Sequence, residues 1–375
     1  MPPSLDRTAR LDAHAAAATG LALLSDRRLA GLLDDAASAG SGLGGTTAVL
    51  EVAGVTVFAK KVALTHLERR PEHVMSTANL FGLPGYYQYG VGSAGFGAWR
   101  ELAAHTMTTN WVLADRYQGF PLLHHWRVLP DCPAEADPYG MFGGLDEAVA
   151  YWDGSPAVRG RLEAIRDSTA SIVLFLEHLP QTLDAWLAGQ EPAVHLRVDR
   201  ELAEGAAFLR ANGMLHFDAH FRNLLTDGHR IYFSDFGLAL SSHFELSPDE
   251  AEFFARHRHY DRVHMAAHQL LHHLPLGDAA APDRRRFVRG WTEGVRPDGV
   301  PAAAAELLGS HGPTAVVLGD FHRRLRDGSK RTPYPAGELA RAGRSAQEGD
   351  GSESVTTETG ENRRPATGFN PAPGG

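Results

Sequence analysis

Two aspartates, an asparagine and a histidine lie close together in residues 213–239, which read GMLHFDAHFRNLLTDGHRIYFSDFGLA. They are Asp218, His220, Asn223 and Asp235. Carboxylate and amide oxygens are the ligands that Mg²⁺ prefers, and the bound ion usually keeps waters and phosphate oxygens in its shell. A further acid beside such an ion could accept the proton of a hydroxyl that attacks a phosphate. These residue types therefore predict metal-assisted phosphoryl transfer, with Asn223 and Asp235 as metal ligands and Asp218 as proton acceptor.

A small hairpin is expected to bring the two predicted metal ligands together. Two short apolar runs flank Asp227-Gly228, a pair that tolerates the positive φ of a tight turn. Asn223 begins one strand of this hairpin and Asp235 follows the other. The turn therefore places both side chains at the open end, with Asp218 in the loop that leads into the first strand.

The loop before this hairpin resembles a known catalytic loop. HFDAHFRN, at residues 216–223, is similar to the H-x-D-x-x-x-x-N loop of protein-kinase-like enzymes, and Asp235-Phe236-Gly237 looks like their D-F-G. His220 matches the H-x-D-x-H-x-x-N variant that occurs in aminoglycoside phosphotransferases and choline kinases. The nearest resemblance is therefore to the small-molecule phosphotransferases of the protein-kinase-like superfamily.

Three upstream features of such enzymes follow in the expected order. A glycine cluster, GSGLGG at 40–45, comes first, and then Lys60 in a strand-like run and Glu101 in the helical run WRELAAH. The resemblance covers about residues 38–275 and implies ATP and Mg²⁺ as cofactors. It also implies that backbone amides of the cluster donate to the phosphates, and these belong to Gly40, Gly42, Gly44 and Gly45.

The resemblance implies a role for each remaining side chain of the site. Lys60 would place its ammonium on the α- and β-phosphates, and Glu101 would hold that lysine in position. His220 would contact phosphate or metal-bound water, with a structural role as the alternative. Adenine would stack between two lobes and hydrogen-bond backbone groups near Glu177 to Leu179, the expected hinge.

The order of strand-like and helical runs predicts an α+β protein, and the resemblance implies a two-lobed protein-kinase-like fold. The N-lobe would contain an antiparallel sheet and one main helix, and the C-lobe would be mainly helical. The expected divisions are a helical extension at 1–37, the N-lobe at 38–178 with an insertion at 131–170, the C-lobe at 179–336, and a disordered tail at 337–375.

Composition limits the classes of function. The chain has 375 residues, of which 43% are hydrophobic and 22% charged, and a formal net charge of −9. The negative charge disfavours a general nucleic-acid binder. Cys132 is the only cysteine, which fits a reducing cytosol. Because no secretory signal and no apolar run of about 18 residues is found, we expect a cytoplasmic protein with no membrane partner. The sequence indicates no oligomeric state.

Two motifs have alternative readings. The glycines at 40, 42 and 45 also match G-x-G-x-x-G, the dinucleotide-binding turn, but that turn needs a strand before it and a helix after it, and β-branched residues follow here. A flexible surface loop is a further alternative. Lys61 competes with Lys60, although strand alternation sends the two to opposite faces and the V-x-A-K spacing favours Lys60.

Histidines are frequent in residues 257–273. His264, His268 and His272 are spaced by four residues and would lie on one helix face, a spacing that could bind zinc. No H-E-x-x-H motif and no nearby cysteine accompanies them. A satisfied or solvated helix face is therefore the favoured reading.

The region after the D-F-G motif indicates which class of acceptor is favoured. The chain runs LALSSHFELSPDE and caps a helix at once, with no A-P-E motif and no long activation segment. This favours a kinase that transfers the γ-phosphate to a hydroxyl of a small molecule. The alternatives are a Ser/Thr kinase acting on a protein or peptide, and a pseudokinase that only binds nucleotide and partners.

Overall fold

A five-stranded antiparallel sheet and two smaller sheets carry the strands of this α+β protein. The computed structural model describes residues 6–42, 45–131, 138–276 and 283–350. The large sheet has the strand order β1-β2-β3-β5-β4. The strands are β1 (Ala37–Gly42), β2 (Gly45–Val52), β3 (Val55–Ala63), β4 (Leu123–Pro130), β5 (Ala170–Glu177), β6 (Gln181–Thr182), β7 (Met214–Leu215), β8 (Leu224–Thr226), β9 (Ile231–Phe233) and β10 (Leu240–Ser241).

Helices cover both faces of the large sheet and make up most of the second half of the chain. None of those in the described ranges is long and apolar enough to cross a membrane. They are α1 (Arg7–Ala22), α2 (Asp26–Asp34), α3 (Ala98–Leu113), α4 (Leu145–Tyr151), α5 (Pro156–Arg166), α6 (Leu183–Leu187), α7 (Pro192–Ala211), α8 (Pro248–Arg256), α9 (Tyr260–His268), α10 (Arg284–Thr292), α11 (Ala302–Asp327) and α12 (Ala336–Asp350).

Alternation along β3 gives the large sheet two different faces. Val57 and Ala59 pack against α1 and α2, whereas Phe58 packs against the cluster that includes α3. Because successive side chains in a strand point to opposite faces, Lys60 lies on the α3 side and Lys61 on the other. Lys60 is only 5% exposed, which supports its choice over Lys61.

The predicted N-terminal helices are present and belong to the same core as the sheet. Ser25 caps α2, since its hydroxyl accepts a hydrogen bond from the Arg28 amide. Ala17 and Leu21 of α1 are fully buried against the sheet. The helical extension ends earlier than predicted, because residue 37 already belongs to β1.

The connection between β3 and α3 crosses from the sheet to the helical half. Residues 64–97 contain only two short 3₁₀ turns, and Tyr89 is buried in a core shared with Phe217 and Tyr260. The segment predicted as an insertion packs on this connection, with the Trp152 ring 4.6 Å from that of Tyr87. The sequence did not indicate either contact.

Helical structure continues past residue 337, where the predicted disordered tail begins. Residues 336–350 form α12, which packs along α11 and buries Leu339. The prediction of disorder from residue 337 is therefore wrong for residues 337–350. Alanine, glutamate and arginine are good helix formers, and one leucine gives the helix a contact with the core. Residues 351–375 of the predicted tail lie outside the described part of the chain.

Candidate functional site

Three predicted site residues meet at one buried ammonium. The Nζ of Lys60 lies 2.6 Å from the Oε1 of Glu101 and 2.8 Å from the Oδ1 of Asp235. Lys60 comes from the middle of β3, Glu101 from the first turn of α3, and Asp235 from the loop after β9. The strand register and the position of α3 together bring these distant residues into contact.

Lys60 and Asp235 in this cluster favour each other's charged forms. Burial alone would raise the pKa of Asp235, but the charge of Lys60 and its hydrogen bond lower it to about 2. Burial opposes the charge on Lys60, yet the two carboxylates raise its pKa well above the ordinary value. Burial, and the charge of Asp235, raise the pKa of Glu101, and the charge of and hydrogen bond from Lys60 oppose this shift.

The predicted hairpin positions the two candidate metal ligands. Leu224 of β8 pairs with Phe233 of β9, and Gly228 adopts a φ of +90° in the turn between them. At the open end, the Ser234 amide donates to the carbonyl of Asn223 over 3.1 Å. Asp235 follows with a φ of +59°, an uncommon value for a residue with a side chain. The hairpin and the grouping at its mouth are confirmed.

The loop before the hairpin is fixed by a buried aspartate. Asp261 of α9 accepts hydrogen bonds from the backbone amides of His216 and Phe217, at 2.7 and 2.9 Å. The Nε2 of His216 lies 2.8 Å from the carbonyl of Ser234. His216 therefore links the loop to the D-F-G segment by a hydrogen bond. Asp261 was not identified from the sequence.

Asp218 lies at the end of this loop with an altered acidity. Burial raises its pKa to about 7, and the charge of Asp235 adds to the shift, while a hydrogen bond from Asn223 and the charge of Lys60 oppose it. The Nδ2 of Asn223 donates to Asp218 Oδ2 over 3.1 Å. A carboxylate with a pKa near 7 is suited to accept a proton at neutral pH.

A glycine from the β3–α3 connection covers Asp218. A Cβ atom added at Gly90 would lie 2.0 Å from Asp218 Oδ1, so the backbone passes directly against the carboxylate. Only a residue without a side chain permits this approach. The neighbouring His220 places its Nε2 3.9 Å from the same oxygen, and burial lowers the pKa of this histidine, which favours its neutral form.

The predicted phosphate-binding glycines fall in the β1–β2 hairpin. Gly42 pairs with Gly45 across it, and Gly40 lies beside a register shift in β1. Gly45 has a φ of +116°, and an added Cβ would lie 1.8 Å from the carbonyl oxygen of Lys61, so contact with β3 already requires a glycine there. Gly44 lies outside the described residues. No helix follows these glycines, which removes the dinucleotide-binding alternative.

The predicted hinge is tied to the first helix. Glu177 ends β5, and its carboxylate accepts hydrogen bonds from the Nε and Nη2 of Arg10 at 2.7 and 2.6 Å. The Glu177 amide donates to the carbonyl of Leu122 over 2.8 Å, so that N–H is not free for a ligand. Leu179 follows and is 6% exposed. Arg10 was not anticipated, because its partner lies 167 positions away.

A cavity of about 780 Å³ opens beside Asp218 and His220. Its walls come from α6, α7, α9, α10 and α11, and from Gly90 and Val91 of the β3–α3 connection. The histidines spaced by four residues line it, although no group of three or more His, Cys, Asp or Glu side chains in the described residues could hold a metal ion. The zinc alternative therefore gains no support. The spacing of His264, His268 and His272 was the signal for this cavity.

No protein-family model matches the chain, and no curated protein matches it either.

Proposed function

We propose that this protein is an ATP- and Mg²⁺-dependent kinase with a two-lobed protein-kinase-like fold. The observation that carries the proposal is the Lys60 ammonium held by Glu101 and Asp235, which lie 41 and 175 positions away in the sequence. Kinases use such a lysine–glutamate pair with a metal-binding aspartate to hold ATP. Because the lysine comes from a strand, the glutamate from a helix and the aspartate from a loop, their contact supports nucleotide binding beside the Lys60 ammonium.

The surrounding fold supports the same reading. The antiparallel sheet has one helix, α3, on the face from which Lys60 points, and the helices that carry the acceptor cavity follow in the second half of the chain. Asp218 feels the charges of Asp235 and Lys60, and Asn223 donates a hydrogen bond to it. The loop and the hairpin therefore occupy positions from which they could act on a nucleotide held by the sheet.

The donor set beside Lys60 fits a magnesium ion. Asp235 is ionised, with a pKa of about 2, and its side chain is 40% exposed. The Nδ2 of Asn223 donates a hydrogen bond to Asp218, which leaves the Oδ1 of Asn223 to bind a cation. Mg²⁺ held by these oxygens would neutralise charge on the phosphates of ATP. Hard oxygen ligands of this kind suit Mg²⁺ better than a softer metal.

Asp218 is the proposed general base. As the hydroxyl oxygen of the acceptor forms its bond to the γ-phosphorus, the bond to the β–γ bridging oxygen breaks and ADP leaves. The hydroxyl proton passes to the Asp218 carboxylate. Asn223 on one carboxylate oxygen and the backbone at Gly90 on the other hold the group in one orientation. Transfer is direct, since no covalent phospho-enzyme is needed.

The segment that forms part of the cavity wall favours a small acceptor. Gly90 and Val91 form part of this wall, and Gly95 lies so close to the carbonyl of Gly237 that an added Cβ would be 2.6 Å away. The β3–α3 connection thus packs beside the D-F-G segment, at a surface that an extended peptide would need to reach. The alternative is a Ser/Thr kinase that acts on a peptide. Comparing phosphate transfer to small molecules and to peptides distinguishes the two.

Two neighbouring lysines give a sharp test. Lys60→Ala should abolish transfer of labelled γ-phosphate and weaken Mg-ATP binding, because it removes the ammonium from the buried cluster. Lys61→Ala, on the other face of β3, removes the same charge and serves as the matched control that keeps both properties. Nucleotide binding is followed by calorimetry, and label is sought in small hydroxyl compounds and in peptides. Equal binding and transfer by the two variants would contradict the proposed role of Lys60.

A further inference from the structure

The charges around the acceptor cavity are unbalanced. Three arginines line it, but only two aspartates do, and one of these is Asp218. Seven histidines line it as well, and burial lowers the pKa of each, which favours the neutral form. The described residues contribute no lysine and no glutamate to the lining. The other aspartate, Asp184, lies 3.5 Å from Arg222, so its charge is already paired. The cavity therefore presents positive charge with little to offset it.

Two arginines supply the unpaired charge. Arg285 of α10 and Arg326 of α11 both line the cavity, and neither has a carboxylate within ion-pair distance among the described residues. Burial, followed by the charges of Arg326 and Arg285, lowers the pKa of His322 to about 4. Both guanidinium groups therefore act on the interior of the same cavity.

A row of imidazole rings separates these arginines from Asp218. The rings of His220 and His268 are 6.2 Å apart, and those of His268 and His272 are 4.7 Å apart. Burial, followed by the charges of Arg285, Arg284 and Arg326, lowers the pKa of His272. His272 and His273 belong to a π-helical turn at Gln269–His273, an irregularity that is frequent at functional sites.

We propose that the acceptor is a small hydroxyl compound that also carries a carboxylate or phosphate group. Arg285 and Arg326 bind that anion, and the hydroxyl reaches Asp218 at the other end of the row. The assignment rests on the proposed kinase function and specifies its acceptor class. The planar guanidinium matches carboxylate and phosphate oxygens with paired hydrogen bonds. Neutral imidazoles along the wall can donate to or accept from the hydroxyls between these ends.

The same charges oppose a polycationic acceptor. An aminoglycoside carries several ammonium groups and needs carboxylates as partners. Within the described residues, the cavity offers only Asp184, already beside Arg222, and the base Asp218. Like charges brought together in a partly desolvated site are costly. The resemblance to aminoglycoside phosphotransferases in the catalytic loop therefore does not extend to the acceptor.

The test compares matched probes by calorimetry in saturating Mg-ADP. Ribose 5-phosphate is paired with ribose, gluconate with glucose, and kanamycin represents the cations. We expect at least one anionic probe to bind roughly tenfold or more tightly than its neutral partner. Arg285→Gln with Arg326→Gln should remove that advantage. Arg286→Gln with Arg324→Gln changes the same charge on the same two helices outside the cavity and should leave it intact.

The outcomes distinguish the two levels of the proposal. Tighter binding of kanamycin or of the neutral partners, no binding of either anion, or equal anion affinity in the two double variants would overturn the acceptor assignment. Transfer of label only to an acidic peptide would overturn it as well. Each of these results leaves the kinase function standing if Mg-ADP binds. Failure of the wild-type protein to bind Mg-ADP would instead refute the proposed function itself.

Discussion

Replacing Asp218 by asparagine should stabilise the folded protein at neutral pH. Burial and the charge of Asp235 raise the pKa of Asp218 to about 7, from an ordinary value of 3.8. An acid whose pKa is raised by folding binds its proton more tightly in the native state, so the native state loses stability as pH rises. Asparagine keeps the shape of the side chain and cannot ionise.

The magnitude follows from linkage between ionisation and folding. Below about pH 4 the carboxyl is protonated in both states, and the wild-type protein suffers no penalty. Between pH 4 and 7 the advantage of Asp218→Asn should grow by about 1.4 kcal/mol per pH unit, to at most about 4 kcal/mol. Above pH 7 it should level off. Because the side chain is 22% exposed, water screens part of this energy, and about 2 kcal/mol is a realistic plateau.

Urea unfolding at pH 5, 6, 7 and 8 measures the difference in free energy of unfolding, with EDTA present and nucleotide absent. Asp227→Asn is the contrasting variant. Burial of Asp227 is outweighed by hydrogen bonds from the Arg230 and His229 amides, which lower its pKa, so this change should destabilise the protein at all four pH values. A difference between wild type and Asp218→Asn that does not change with pH would refute the argument that burial and Asp235 raise this pKa. Loss of transfer activity in the stabilised variant would identify Asp218 as a functional acid whose position is maintained at a cost in stability.

Two further predictions concern the same carboxylate. The kcat/KM for phosphoryl transfer should fall about tenfold per pH unit below pH 7, because protonated Asp218 cannot accept the hydroxyl proton, and a flat profile down to pH 5 would contradict its role as the base. Gly90→Ala should lower kcat strongly while nucleotide binding stays intact, because the added methyl group would collide with Asp218 Oδ1. Gly160→Ala, at a helical glycine with open space around it, is the control that should keep full activity, and equal rates in the two variants would show that the Gly90 contact is unimportant.

The sequence predicted the parts of the site that depend on local order. The Asp227-Gly228 turn fixes the hairpin, and the alternation of β3 distinguishes Lys60 from Lys61. Each of these follows from residues within a few positions of one another. Glu101 could be chosen as the partner of Lys60 only through the resemblance to kinases, because helical spacing alone makes it one surface charge among others.

Contacts between distant segments were not predictable in the same way. Gly90 lies in a connection with almost no regular structure, and no periodic pattern indicates that it crosses to Asp218. Arg10 looks like an ordinary charge on an amphipathic helix, yet it is buried against Glu177. The histidine spacing was visible, but only the packing of α9 against α7 and α11 turns that face into the wall of a cavity. In each case tertiary packing decides what a single side chain does.

The pKa of the proposed base is coupled by charge to the proposed nucleotide site. Asp235, which binds Lys60, is the second largest contribution that raises the pKa of Asp218. A cation compensating Asp235 removes that contribution, so Asp218 should ionise more readily in the loaded protein than in the free one. The acid limb of kcat should therefore lie at lower pH than the acid limb of kcat/KM, since the first reports the loaded enzyme and the second the free enzyme. Identical limbs in the two profiles would mean that Asp235 and Asp218 act independently, and the reasoning that joins the buried lysine cluster to the base would fail.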